Sequence, residues 1–213
     1  MNRKFKALSL SLFAVLALSA VSASGVQANF TSSLGAGIGI SGTSTADEFT
    51  AFGSTVKCTE NSFSGTTTAA TSNEITITPQ YKNCKFGVFP ATVDFTGCDY
   101  KFTSTTPEVH VVCPAGKRID ITVFASAAAH TANTPICHIY IGAQTVKGHV
   151  YANSGANDVN VSGKVSNIHA IEHRTSAVCP GGEGTEVTTT TAQYDIQAGG
   201  IVVKPASGSL RVD

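Results

Sequence analysis

The stretch His169-Ala170-Ile171-Glu172-His173 fits the H-x-x-E-H pattern, in which two histidines hold a zinc ion and the glutamate serves as general base. That chemistry needs a helix, because a helix brings positions four apart onto one face within reach of one ion. The flanks read as strand instead. "VNVSGKVSNI" alternates polar and apolar, Gly163 precedes the motif, Pro180 follows it, and Ile171, Thr175 and Val178 are β-branched. On a continuous strand His169 and His173 share a face but stand about 13 Å apart at ~3.3 Å per residue. Zn–N bonds of about 2.1 Å cannot span that gap. If Ala170-Ile171-Glu172 form a turn, the two rings come opposite each other and could share a surface metal. His169 and His173 are thus the metal candidates, and exposed loop histidines are the simpler expectation.

Other chemistry-bearing residues point less far. Gly37, Gly39 and Gly42 match G-x-G-x-x-G, but no strand-turn-helix surrounds them, so a Gly-rich linker is expected rather than a dinucleotide site. The carboxylate pairs Asp47-Glu48 and Glu183/Glu186 could do acid–base work, yet such pairs are routine in solvated turns. Asn153 to Asp158, "NSGAND", offers oxygens without the spacing of a known calcium loop. His110, His130, His138 and His149 are scattered, and no G-x-S-x-G elbow occurs. The sequence therefore nominates no catalytic residue and no cofactor.

The elements that must position these residues are strands. From about Phe49 onward, short segments rich in Val, Ile, Thr, Tyr and Phe alternate with period two between Gly, Pro, Asn and Asp punctuation. Only "FASAAAHTANTP" has the Ala density of a short helix. Ten to twelve such strands predict an all-β, antiparallel fold over 49–213, as a β-sandwich, a barrel or two small β lobes. Residues 29–48, rich in Gly, Ser and Thr, read as a flexible lead-in. Val93–Lys117 aligns without gaps over Val159–Glu183, sharing a V-C-P-x-G corner, which suggests a duplicated unit. In that alignment His169 to His173 matches Thr103 to Pro107, a hairpin turn.

Six cysteines, Cys58, Cys84, Cys98, Cys113, Cys137 and Cys179, lack any C-x-x-C pair, so disulfides are favoured over zinc. Hairpin geometry favours Cys58–Cys84 and Cys98–Cys113, leaving Cys137–Cys179. A pairing built on the repeat, Cys58–Cys98, Cys84–Cys113 and Cys137–Cys179, remains open among the fifteen that six cysteines allow. With all six oxidised, no thiol nucleophile is expected.

The run from "FGSTVKC" through "ITITPQY", "GCDYKF" and "VHVVCPAGK" to "VCPGG", about Phe49 to Gly182, resembles a group of secreted, Cys-rich β proteins abundant in actinobacterial genomes. The resemblance implies secretion and β architecture and carries no site residue with it.

Arg3, Lys4 and Lys6, an apolar stretch from about Leu8 to Ala20, and Val26-Gln27-Ala28 form a secretory signal peptide over 1–28. Its removal takes three basic residues and no acid, so 14 Lys+Arg against 14 Asp+Glu becomes 11 against 14, a net charge of about −3. That balance, without a basic run, disfavours nucleic acid and anionic membrane as partners, and no later segment is long enough to span a membrane. The expectation is a secreted, extracellular or cell-surface structural or binding module, without enzymatic activity, for an unknown extracellular ligand; oligomeric state is open. Two alternatives are a metal-assisted hydrolase using His169 and His173, and a glycan-binding module, which the absence of Trp disfavours.

Overall fold

The computed structural model describes residues 29–106, 108–176, 179 and 186–213. The expected signal peptide over 1–28, Pro107, Glu183 and the end of the repeat at 180–183 lie outside the described residues. In chain order the strands are β1 (Phe30–Ser32), β2 (Gly39–Ser44), β3 (Asp47–Ala51), β4 (Ser54–Thr66), β5 (Thr71–Ser72), β6 (Glu74–Phe86), β7 (Phe89–Asp94), β8 (Asp99–Thr103), β9 (Glu108–Val112) and β10 (Ile119–Phe124). The helix α1 (Ala127–Thr131) follows, then β11 (Pro135–Ile141), β12 (Gln144–Ser154), β13 (Asp158–Arg174), β14 (Glu186–Pro205) and β15 (Leu210–Val212). The fold is all-β and antiparallel, and the one helix falls in the Ala-rich segment.

Two long hairpins, β4 with β6 and β13 with β14, organise a 12-stranded sheet. Toward one end they join β8, β9, β12 and β2 in a closed ring of eight strands, β6-β8-β9-β12-β13-β14-β2-β4 and back to β6. Toward the other end the same four strands join β7, β10, β11 and β3 in a second ring of eight. Where sequence spacing allows two stacked layers or two lobes, the pairings join twelve strands into one hydrogen-bonded surface around one core. A small sheet, β15-β1-β5, lies against the β12–β13 turn, where Phe30 meets Tyr151 edge-on at 5.2 Å.

A strand that serves both rings must change which parity of residue faces inward. In β6 the buried positions run Ile75 and Ile77, then Cys84 and Phe86; in β13 they run Val159, Val161 and Val165, then Ile168, Ala170 and Glu172. The changeover in β13 coincides with a register shift against β14, and Asn83 and Asn167 sit at the two changeovers with φ of 51° and 59°. Asparagine tolerates the left-handed region better than other side chains, and one extra residue in a bulge turns the strand's alternating faces over.

Three expectations from the sequence are corrected. Residues 29–48 are not a flexible lead-in: they carry β1, β2 and the start of β3, with Phe30 and Ile40 only 2% exposed. The alternation was hidden because two of the inward positions of β2 are Gly42 and Ser44. A Cβ at Gly42 would meet Ile201 Cγ2 at 2.9 Å, so close packing demands the glycine. The two repeat segments differ in conformation. The first forms the β8–β9 hairpin, whose turn is held by Thr103 Oγ1 donating to Thr106 O; the second runs as the single strand β13. His169 to His173 is therefore mid-strand rather than a hairpin tip, because β13 keeps β14 beside it throughout.

The disulfides are Cys58–Cys84, Cys98–Cys113 and Cys137–Cys179, the set that hairpin geometry favours. In the chain-entropy model each contributes about 2–4 kcal/mol.

The bulge account predicts that Asn167→Gly leaves stability within about 0.5 kcal/mol, whereas Asn167→Val lowers it by about 1–2 kcal/mol, since a β-branched residue resists positive φ. Urea denaturation of the two variants measures this.

Candidate functional site

The structure separates the residues of the zinc-protease motif. His169 and His173 lie on the outer face of β13, and on that continuous strand they are about 13 Å apart. Glu172 is inward and fully buried, on the opposite side of the strand from both histidines. A glutamate there cannot act on anything the histidines hold. The backbone of His169 is instead tied by the Gln144 side chain, whose amide donates to His169 O at 2.9 Å and accepts from His169 N at 2.8 Å.

Beneath the motif, Glu172 accepts from Arg174 Nε at 2.8 Å, and its other oxygen lies 3.3 Å from Cys179 Sγ. Burial raises the Glu172 carboxyl above the usual range, and Arg174 offsets part of the rise. Cys137, Glu172 and Cys179 bring three potential ligand atoms within 4.8 Å of one another. Two of them are the bonded sulfurs of a disulfide and have no thiolate to offer, so this cluster is a packing unit and not a metal centre.

A second buried network sits inside the barrel, toward the β3 end. Asp47 Oδ2 accepts from Ser44 Oγ at 2.5 Å and from Tyr194 OH at 2.8 Å, while Tyr194 OH is 2.7 Å from Tyr81 OH. Asn61 Nδ2 reaches Ser44 Oγ at 3.2 Å. Burial pushes Asp47 up, with the Ser44 and Tyr194 bonds pulling it partly back; burial also pushes Tyr81 and Tyr194 well above the usual phenol value and Tyr100 up to about 12. The phenols are therefore donors at neutral pH. Asp47, Tyr81, Tyr100 and Tyr194 line a cavity of about 70 Å³ whose other walls are chiefly Phe, Val and Ile. Ligand pockets run to ~300 Å³ or more. This network ties β3, β4, β6 and β14 together rather than receiving a substrate.

The chemistry that faces outward lies on the second ring. Strict alternation in "RIDITVF" and "PICHIYI" buries Ile119, Ile121, Cys137 and Ile139 and turns Asp120, Thr122, His138 and Tyr140 out. Cross-strand register then sets Thr92, Thr122, His138, His173 and Glu186 in one row across five strands, β7-β10-β11-β13-β14. A second row beside it runs Asp94, Asp120, Tyr140, Ile171 and Thr188. His138 Nδ1 lies 3.0 and 3.1 Å from the two Asp120 oxygens, and His173 Nδ1 lies 3.5 Å from Glu186 Oε1. The Arg118 guanidinium sits 3.2 Å over the Tyr140 ring.

In the sequence His138 is one of the scattered histidines. Its face was readable from alternation, but its neighbour was not: 35 residues separate it from His173, and only ring closure makes β11 and β13 adjacent. Among the remaining candidates, Glu48 pairs with Lys57 at 2.7 Å, and Gly37, Gly39 and Gly42 lead into a strand with no helix after it. Asn153 spends both ends of its amide on the Val212 backbone, so its oxygen is engaged. His110 pairs with Thr145, and His130 packs on Phe124.

No family model, curated protein or solved structure matches the chain.

His149 is 1% exposed among Phe102 and Tyr151, with Nε2 2.6 Å from Tyr151 OH and no partner for Nδ1 among the described residues. Burial lowers its pKa from 6.5 to about 4. The fold keeps the ring neutral while the unfolded chain takes up a proton, so stability is full above about pH 6.5 and falls as pH drops to about 4. Asp47 and Glu172, both raised, act in the opposite sense, which makes a difference measurement necessary. Denaturation of the parent and of His149→Gln at both pH values should show the parent's advantage shrinking by about 2 kcal/mol on acidification, a figure reduced for solvent screening.

Proposed function

We propose that the chain is exported behind residues 1–28, cleaved after Ala28, and acts outside the cell as a non-enzymatic structural or binding module. The observation that carries this reading is the combination of double closure with three disulfides. Closure leaves few free strand edges, and the disulfides suit an oxidising compartment. Among the described residues no helix is long and apolar enough to cross a membrane.

The arrangement of polar chemistry supports the non-enzymatic part. Asp47 Oδ2 and Glu172 are engaged by Ser44, Tyr194 and Arg174 inside the core, and the outward histidines lie in an open row across a sheet rather than in a cleft. Catalytic sites depend on groups that converge on a reacting atom in a water-excluding recess. Of the five tyrosines, Tyr81, Tyr100, Tyr151 and Tyr194 pack against the core, and the fifth, Tyr140, is covered by Arg118. That leaves a glycan-stacking surface little to work with. The extracellular ligand is sought on the two outer rows instead.

Expressed as residues 1–213 in a secreting bacterium, the protein should be recovered from the medium beginning at Asn29 and should turn over no ester, peptide, glycoside or phosphoester in a general panel. Retention of uncleaved chain in the cells, or turnover abolished by His138→Ala, would contradict the reading.

A further inference from the structure

We propose that His138 and His173 form a binding site for a divalent transition metal on the outer face of the second ring, with zinc as the probe that tests it. The inference goes beyond the structural or binding role above and does not depend on it.

Three observations meet at this pair. First, the two residues are direct cross-strand partners in the β11–β13 ladder. Directly opposed residues on one face have Cβ atoms only about 4.5–5.5 Å apart, so two imidazoles can close on one ion with ordinary rotamers. His169 and His173, spaced along one strand, cannot do so.

Second, each ring has a carboxylate at the same atom. Asp120 lies 3.0 and 3.1 Å from His138 Nδ1, and Glu186 lies 3.5 Å from His173 Nδ1. At His138 the Nδ1 proton is held toward Asp120, which leaves the lone pair on Nε2; at His173 the Glu186 carboxylate stands beside Nδ1 without a hydrogen bond. Metal-bound histidines almost always carry such an outer partner. Neither Nε2 has a hydrogen-bond partner among the described residues.

Third, both side chains are reachable, at 21% and 41% exposure, and they stand in a row that continues to Glu186 on one side and Thr122 on the other. Two neutral nitrogens with open positions for water or a swung carboxylate suit zinc, nickel or copper(II) and not calcium or magnesium, which take oxygen ligands.

The test is isothermal titration of the purified, disulfide-bonded protein with zinc chloride at pH 7.5. Binding of one ion per chain is expected. His138→Ala and His173→Ala should each weaken it at least tenfold, and Asp120→Asn by about tenfold. His169→Ala should stay within about twofold of the parent. Circular dichroism and the metal-free melting curve establish that each variant is folded, and His138→Gln and His173→Gln provide milder replacements should an alanine variant not fold. Absence of binding to the parent at millimolar zinc, undiminished binding in folded His138 and His173 variants, or an equal loss in His169→Ala would overturn the site.

Discussion

Four strands of this protein belong to two closed rings at once, and the rest of the structure depends on that sharing. β4, β6, β13 and β14 carry backbone hydrogen bonds into both groups of partners, so one continuous hydrogen-bonded surface encloses one core. A strand has only two faces, and each ring has its own inside. The shared strands meet this requirement by turning over where one ring gives way to the next, with Asn83, Asn167 and Gly200 taking positive φ there. The Cys58–Cys84 disulfide fastens the β4–β6 hairpin next to its own changeover, and Asp47 ties β3 to Tyr194 of β14 nearby. A slipped register would break the Asp47–Ser44 and Asp47–Tyr194 bonds made at this junction, which favours a single pairing.

The inner and outer chemistry of the molecule follow from the same alternation. In β13, Glu172 points in and is held by Arg174, while His173, one residue on, points out and stands opposite His138 in the β11–β13 ladder. The sequence motif joined those two residues into one site. The strand puts a sheet between them.

Features set by local spacing were legible in the sequence. The all-β class, the Ala-rich helix and the two hairpin disulfides each depend on patterns within a few tens of residues, and they appear in the structure as read. Features that depend on closure were not. β2 escaped notice because Gly42 and Ser44 fill inward positions where an apolar side chain would have marked the strand, Gly42 because Ile201 leaves no room for a Cβ. The apparent repeat misleads because similar alternating segments serve a hairpin at Asp99 to Val112 and an unbroken strand at Asp158 to Arg174; partners beyond the segment decide which. His138 and His173, and Asp47 and Tyr194, lie 35 and 147 residues apart, and nothing in the local pattern announces that they meet.

The central claim is that β11 closes onto β13 and so completes the second ring. Nuclear Overhauser contacts between the backbone protons of β11 and β13, measured on isotope-labelled protein, address it directly. The account predicts contacts in the register Cys137 to Arg174, His138 to His173, Ile139 to Glu172 and Tyr140 to Ile171, with slowly exchanging amides along that seam. Fast exchange there, with contacts from β11 to β10 alone, would mean an open edge at β11 and would contradict both the ring and the histidine pair.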